Sequence, residues 1–131
     1  LPESASYLGI ECESKFVELL DRKFPDMNFV MGRAENAFEL CQDAGCSTPR
    51  AIISGLPFAS LCDLTRSAIV ESIKRLMGPG AVFRTFQYAH AYNLPGSAQF
   101  RESMQAAFGE HNRRELVVMN LPPAFVLTWS K

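Results

Sequence analysis

Short apolar runs alternate with amphipathic stretches along most of this chain, and that alternation leaves few folds open. Residues 7–11, 27–31, 51–53 and 81–88 are continuous or alternating apolar segments too short for helices. Between them, 13–24, 34–44 and 62–77 carry apolar residues at helical spacing, and 97–108 follows the last run in the same way. Phe16, Val17, Leu19, Leu20 and Phe24 mark the inward face of the first helix, which Pro25 ends. Phe38, Leu40 and Cys41 mark that of the second, with Gly45 as its stop. Leu64, Ala68, Ile69, Ile73, Leu76 and Met77 mark the third, cut off by Gly78-Pro79-Gly80. Residues 115–119 and 125–129 then read as two strands joined through Leu121-Pro122-Pro123. Strands separated by helical crossovers must lie parallel, whereas a short final connection favours a hairpin. The expected fold class is therefore α/β, a mostly parallel sheet covered by helices and closed by a C-terminal antiparallel hairpin.

Composition sets the bounds on function. With 131 residues, 47% of them hydrophobic, the chain can bury a core and is most simply a single domain. A net charge of −1 gives no electrostatic argument for nucleic acid, and Arg113-Arg114 is a two-residue basic spot read as solvated. Cys12, Cys41, Cys46 and Cys62 contain no C-x-x-C pair, and His90 and His111 stand far from them. No metal site is expected, and the cysteines read as reduced and mostly buried. No apolar run reaches the roughly 18–20 residues that span a bilayer.

One acidic residue arrives early. In nucleotide-binding α/β folds, a carboxylate at the end of a strand follows the glycine-rich phosphate loop by about 20 residues. Here Glu11 ends the first apolar run with only residues 1–6 before it. The expectation is a sequence that begins inside a fold whose opening strand, loop and helix lie upstream.

In this order the segments resemble class I S-adenosylmethionine-dependent methyltransferases over about nine-tenths of the chain. Leu8-Gly9-Ile10-Glu11 looks like the strand after the glycine loop. Leu76-Met77-Gly78-Pro79-Gly80-Ala81-Val82-Phe83 looks like the family's L-x-P-G-G-x-F approach to strand five. Ser54-Gly55-Leu56-Pro57-Phe58 and Asn120-Leu121-Pro122-Pro123-Ala124-Phe125-Val126 are similar to segments of bacterial phospholipid N-methyltransferases acting on phosphatidylethanolamine. Those enzymes in turn resemble rRNA adenine dimethylases, whose corresponding turn reads N-L-P-Y or N-L-P-F. Gly55 stands here in place of that Asn, whose carbonyl would orient an adenine amine. The resemblance implies a Rossmann-like methyltransferase sheet lacking its first strand and helix, S-adenosylmethionine as cofactor, and an amine as methyl acceptor.

The site residues follow from the same resemblance. Glu11 is expected to accept hydrogen bonds from the cofactor ribose; the alternative is a charge favouring the dipole of the following helix. Gly32-Arg33-Ala34-Glu35 stands where the family often has G-D-A, with Arg33 in place of the Asp; because a cation cannot accept from an adenine amine, either Glu35 or a backbone carbonyl takes that task or adenine recognition is impaired. Ser54, Gly55, Leu56, Pro57 and Phe58 form the expected acceptor turn, Ser54 also touching the cofactor. Phe58 would offer its ring face to the amine and Pro57 rigidity, against a reading of Phe58 as core. Tyr88 and His90 follow the fifth strand of the family order, His90 as a candidate base. Asn120 with Pro122-Pro123 is a candidate wall of the acceptor pocket.

Two other readings compete with the lipid-amine enzyme: an rRNA adenine methyltransferase-like enzyme, and a non-catalytic methyltransferase-like remnant that dimerises. A hydrolase is disfavoured by the lack of a G-x-S-x-G elbow or a Walker loop. Without a first strand, the strands at 7–11 and 51–53 lose a shared neighbour and must pair directly, stay open as edges or recruit a second chain. The expected partners are a small-molecule or lipid amine, a peripheral membrane surface and a second copy. The expected location is the cytoplasm, at the inner-membrane periphery for a lipid acceptor.

Overall fold

A computed structural model describes residues 2–46, 48–110, 113–119 and 122–131. The chain divides into two compact units, Leu1–Ser47 and Thr48–Lys131.

The first unit is built from β1 (Leu8–Glu11), α1 (Ser14–Lys23), β2 (Asn28–Met31), a 3-10 turn (Ala34–Asn36) and α2 (Ala37–Asp43). The two strands pair in parallel, Leu8 opposite Asn28 and Glu11 opposite Met31. Arg22 and Lys23 in the last turn of α1 complement the helix dipole. The Phe24 amide, on the Leu20 carbonyl, closes that helix before Pro25. Gly32 lets α2 approach closely: a Cβ there would lie 2.4 Å from the tip of the Leu40 side chain, which would have to shift. The inward face expected of α1 is not buried. Phe16 and Leu19 are each 55% exposed, and no residue of the helix is fully buried. A two-stranded sheet offers too little surface to cover an amphipathic helix.

The second unit is a four-stranded sheet with two helices. Its elements are β3 (Ala51–Ser54), a 3-10 turn (Phe58–Ser60), α3 (Asp63–Leu76), β4 (Val82–Tyr88), a 3-10 turn (Ala89–Ala91), α4 (Pro95–Phe108), β5 (Arg113–Val117) and β6 (Ala124–Ser130). The strand order is β3-β4-β6-β5. β3 and β4 are parallel, while β6 runs antiparallel to both β4 and β5. Both edge strands, β3 and β5, carry one unpaired side within this sheet.

Strand alternation sorts β4 into two faces. Phe83, Thr85 and Gln87 are buried, whereas Arg84 and Tyr88 are exposed. The core joins Phe83 and Trp129 from the sheet to Phe58 and Phe100. Phe58 stacks on Phe100 at 3.7 Å and 11°, and Trp129 meets Phe100 edge-on at 5.9 Å. Aromatic pairs in such geometries add about 0.5–1.5 kcal/mol each beyond area burial. Gly96, in the first turn of α4, makes that stack possible, because a Cβ there would fall 2.7 Å from the Ala59 carbonyl oxygen. Arg66 of α3 is buried and ties the region together, donating to the Leu61 carbonyl and to the side chains of Asp63 and Gln99. Of the apolar stripe expected on α3, Ile69, Ile73, Leu76 and Met77 are buried, but Leu64 is 85% exposed and Ala68 is exposed as well. The stripe is narrower than the sequence suggested because α3 packs over one side only.

All four cysteines are free, though not mostly buried as expected: Cys41 is buried, Cys46 is half-buried, and Cys12 and Cys62 are exposed. Cys12 follows β1 and Cys62 caps α3, positions at element ends that solvent reaches. Burial, followed by the neighbouring Cys46, raises the Cys41 thiol above its ordinary pKa. Among the described residues no helix is long and apolar enough to cross a membrane, and no group of acidic, Cys and His side chains is arranged to hold a metal.

Candidate functional site

In open α/β sheets, ligands bind beyond the carboxyl ends of the parallel strands, and each unit places expected site residues there. In the first unit Glu11 ends β1. Its Oε1 accepts a 3.1 Å hydrogen bond from the Glu13 amide at the start of α1, while Oε2 makes none among the described residues. The carboxylate of Glu11 thus meets the backbone at the start of α1 through one of its two oxygens. The Gly32 amide bonds the Glu11 carbonyl at 3.0 Å, bringing the turns after β1 and β2 together.

Arg33 and Glu35 form their own pair beside that turn. Nε and Nη2 of Arg33 both donate to Glu35 Oε1, at 3.1 and 3.0 Å. Its backbone amide, more than any other group, holds the Glu35 carboxyl below the ordinary value; partial desolvation opposes the shift, and Arg33 adds to it. Glu35 therefore stays an anionic acceptor with one oxygen engaged by Arg33. Ala34 opens the 3-10 turn and is half-buried.

In the second unit the turn expected to hold the acceptor leaves β3 at Ser54. The Ser54 hydroxyl accepts from the Leu56 amide at 3.2 Å, and the Ser54 carbonyl accepts from the Thr85 hydroxyl at 3.0 Å. The Leu56 and Pro57 carbonyls accept from the Phe58 and Ser60 amides. Thr85, 2% exposed, holds the Ser54 carbonyl and was not singled out from the sequence, since a Thr within a strand carries no signal of what it bonds. Gly55 is exposed, and a Cβ there would have only ordinary contact, 3.8 Å from the Phe86 ring. Phe58 corrects the sequence expectation. It is 1% exposed and stacked on Phe100, so its ring belongs to the core and offers no face to an amine.

Tyr88 ends β4, and His90 lies on the 3-10 turn behind it. Their rings stack at 5.6 Å and 11°, and both are exposed. His90 thus stands at the carboxyl end of β4 with its ring accessible. Pro123 accepts the Ala89 amide through its carbonyl at 2.8 Å, fixing that turn against β6. Asn120, the candidate pocket wall, and Leu121 lie outside the described residues, as does His111. At the approach to β4, Gly80 adopts φ +79°, a left-handed conformation suited to glycine, and donates to the Lys131 carbonyl.

The fold defines an α/β protein of Rossmann-like type, and the solved structures it is similar to narrow that to the methyltransferase fold. A TehB-like S-adenosylmethionine-dependent methyltransferase from Corynebacterium glutamicum matches 96% of this chain and 68% of its own, with 15% identity and a TM-score of 0.64. An rRNA methylase from Streptococcus thermophilus matches 96% of this chain and 73% of its own, with 14% identity and a TM-score of 0.65. The fibrillarin pre-rRNA processing protein of Methanococcus jannaschii matches 96% of this chain and 57% of its own, with 14% identity and a TM-score of 0.63. No sequence-family profile and no curated protein matches the chain. The chain has the α/β Rossmann-like methyltransferase fold.

Proposed function

We propose that this chain carries out S-adenosylmethionine-dependent methyl transfer to an amine, specifically that of a phospholipid head group. The observation that carries the reading is Glu11, placed at the carboxyl end of β1 with one carboxylate oxygen engaged by the α1 start and the other left to accept. The chain's similarity to methyltransferase structures supports the same reading. The residues present fit the ribose part of the cofactor. The 131 residues contain no E-x-G-x-G-x-G segment to cradle its methionine part, so that share of the site falls to other residues.

The cofactor supplies an electrophilic methyl on a sulfonium. The chain's own task is alignment, because an in-line displacement depends on holding the amine lone pair on the S–CH3 axis. With the Ser54, Leu56 and Pro57 carbonyls engaged in the turn, the Gly55 carbonyl is assigned to orient the amine. His90, exposed behind β4, is assigned to take the proton that the amine must lose. Gly55 leaves room for a head-group amine where an Asn side chain would reach toward a planar base.

The test is calorimetric titration of the 131-residue chain with S-adenosylmethionine, alongside Glu11→Ala, followed by transfer to phosphatidylethanolamine vesicles. Binding in the micromolar range that weakens at least about tenfold in Glu11→Ala is expected, the equivalent of losing one charged hydrogen bond of roughly 1.5–3 kcal/mol. Undiminished affinity in the mutant sinks the ribose role. Methylation of RNA adenine in preference to the lipid sinks the choice of acceptor.

One observation favours the non-catalytic, dimerising alternative. β3 is a parallel strand with an open side, and Ile53 on it is 82% exposed, whereas parallel strands are ordinarily covered on both faces. A second copy pairing along β3 would cover both. Under that reading Ile53→Lys shifts a dimer to monomer in sedimentation velocity at tens of micromolar protein. A native chain that sediments as a monomer removes the alternative.

A further inference from the structure

We infer that Arg101, Arg114 and Tyr92 form an oxyanion site for a phosphate group. Arg101 projects from α4, and its guanidinium carbon stands 3.7 Å from the centroid of the Tyr92 ring. Its Nη1 donates to the Gln87 side-chain oxygen at 2.6 Å and to the Tyr92 carbonyl at 2.7 Å. Gln87 is buried and fixed in turn by donating to the Ser97 carbonyl, so the fork is held on a rigid support. Arg114 of β5 approaches the same ring. Its guanidinium carbon is 5.8 Å from the Tyr92 centroid and 5.4 Å from that of Phe125, and its Nη1 donates to the Tyr92 hydroxyl at 3.3 Å. Tyr92 and Phe125 are themselves packed at 4.5 Å.

Two guanidinium groups on one aromatic ring repel each other, and among the described residues neither has a salt-bridge partner. Burial lowers the Arg101 pKa, the Arg114 charge adding to the effect while Tyr92 and the adjacent Glu102 oppose it. Such a pair is stabilised by whatever anion relieves the repulsion. The donors left on both forks suit the tetrahedral oxygens of a phosphate better than a point charge would. The three residues converge only in space, since Tyr92, Arg101 and Arg114 come from a turn, a helix and an edge strand. Their sequence signal was limited to Arg113-Arg114, read as a solvated spot.

The site deepens the proposed function by giving a phospholipid head group a holder for its phosphate, but the geometry argues it independently of methyl transfer. Its test therefore uses no cofactor. The 131-residue chain is titrated with inorganic phosphate and, separately, with glycerophosphoethanolamine, following the arginine Nε–Hε resonances by NMR at constant ionic strength. Saturable shifts at Arg101 and Arg114 at millimolar phosphate are expected, with affinity falling at least fivefold in Arg114→Gln. Tyr92→Phe, which keeps the ring and removes the hydroxyl that positions Arg114, is the second variant and loses affinity in the same direction. Tighter binding of the diester than of inorganic phosphate identifies a head group as the source, and equal or weaker binding identifies free phosphate; either supports the site. Non-saturating shifts, or shifts unchanged in both variants, overturn it, whatever the outcome of the cofactor titration.

Discussion

Trp129→Ala removes about 3–5 kcal/mol from the stability of the Thr48–Lys131 unit, the range for truncating a fully buried aromatic. The unit is 84 residues by its boundaries, and a fold of that size holds only about 4–12 kcal/mol in total. Trp129 is completely buried and contacts both Phe83 and Phe100, so its loss opens a cavity where β4, β6 and α4 meet. Little can refill it: Phe100 is already stacked against Phe58, and Gly96 against Ala59 holds α4 at its present distance. Urea unfolding followed by far-ultraviolet circular dichroism measures the effect without the indole. Leu64→Ala serves as the contrast, because a side chain 85% exposed on α3 costs within about 0.5 kcal/mol. A Trp129→Ala loss below about 1 kcal/mol contradicts the core described here.

Separated from each other, the two units behave differently. Residues 48–131 unfold cooperatively on their own, whereas residues 1–47 show no cooperative transition at any temperature. Among the described residues, every fully buried apolar side chain except Cys41 lies in the second unit. The first unit has a two-stranded sheet, a helix with no buried residue, and exposed Phe16, Leu19, Phe24 and Met31. Its backbone ordering costs roughly 1–2 kcal/mol per residue, and so thin a core does not offset that cost. Scanning calorimetry of the two fragments decides the matter; a sharp endotherm from residues 1–47 refutes the account.

Much of the fold was legible because its signals are local. The turn at Gly78-Pro79-Gly80, the stop at Pro25 and the switch between strand and helix periods each act within a few residues, and the α-helices and strands of the described residues lie within a few residues of their expected bounds. Burial was less legible. Phe16, Leu19 and Leu64 have helical spacing, but spacing reveals only a shared face, not whether anything packs on it. The candidate site divided in the same way. Glu11 is recognisable because a carboxylate ending a strand is a local pattern, and its bond to the Glu13 amide is a contact two residues away. Phe58 was misread because the partner that claims its ring, Phe100, lies far along the chain.

Periodicity and chain connectivity alone carry the order and type of the elements, the parallel sense that crossovers impose, and the carboxylate at the end of β1. The division into two units, the place of β6 between β4 and β5, the burial of Phe58 in the core and the sharing of Tyr92 by Arg101 and Arg114 emerge in three dimensions alone. Those outcomes depend on which distant residues meet, and the free energy of each meeting is set by burial and charge that no local pattern encodes.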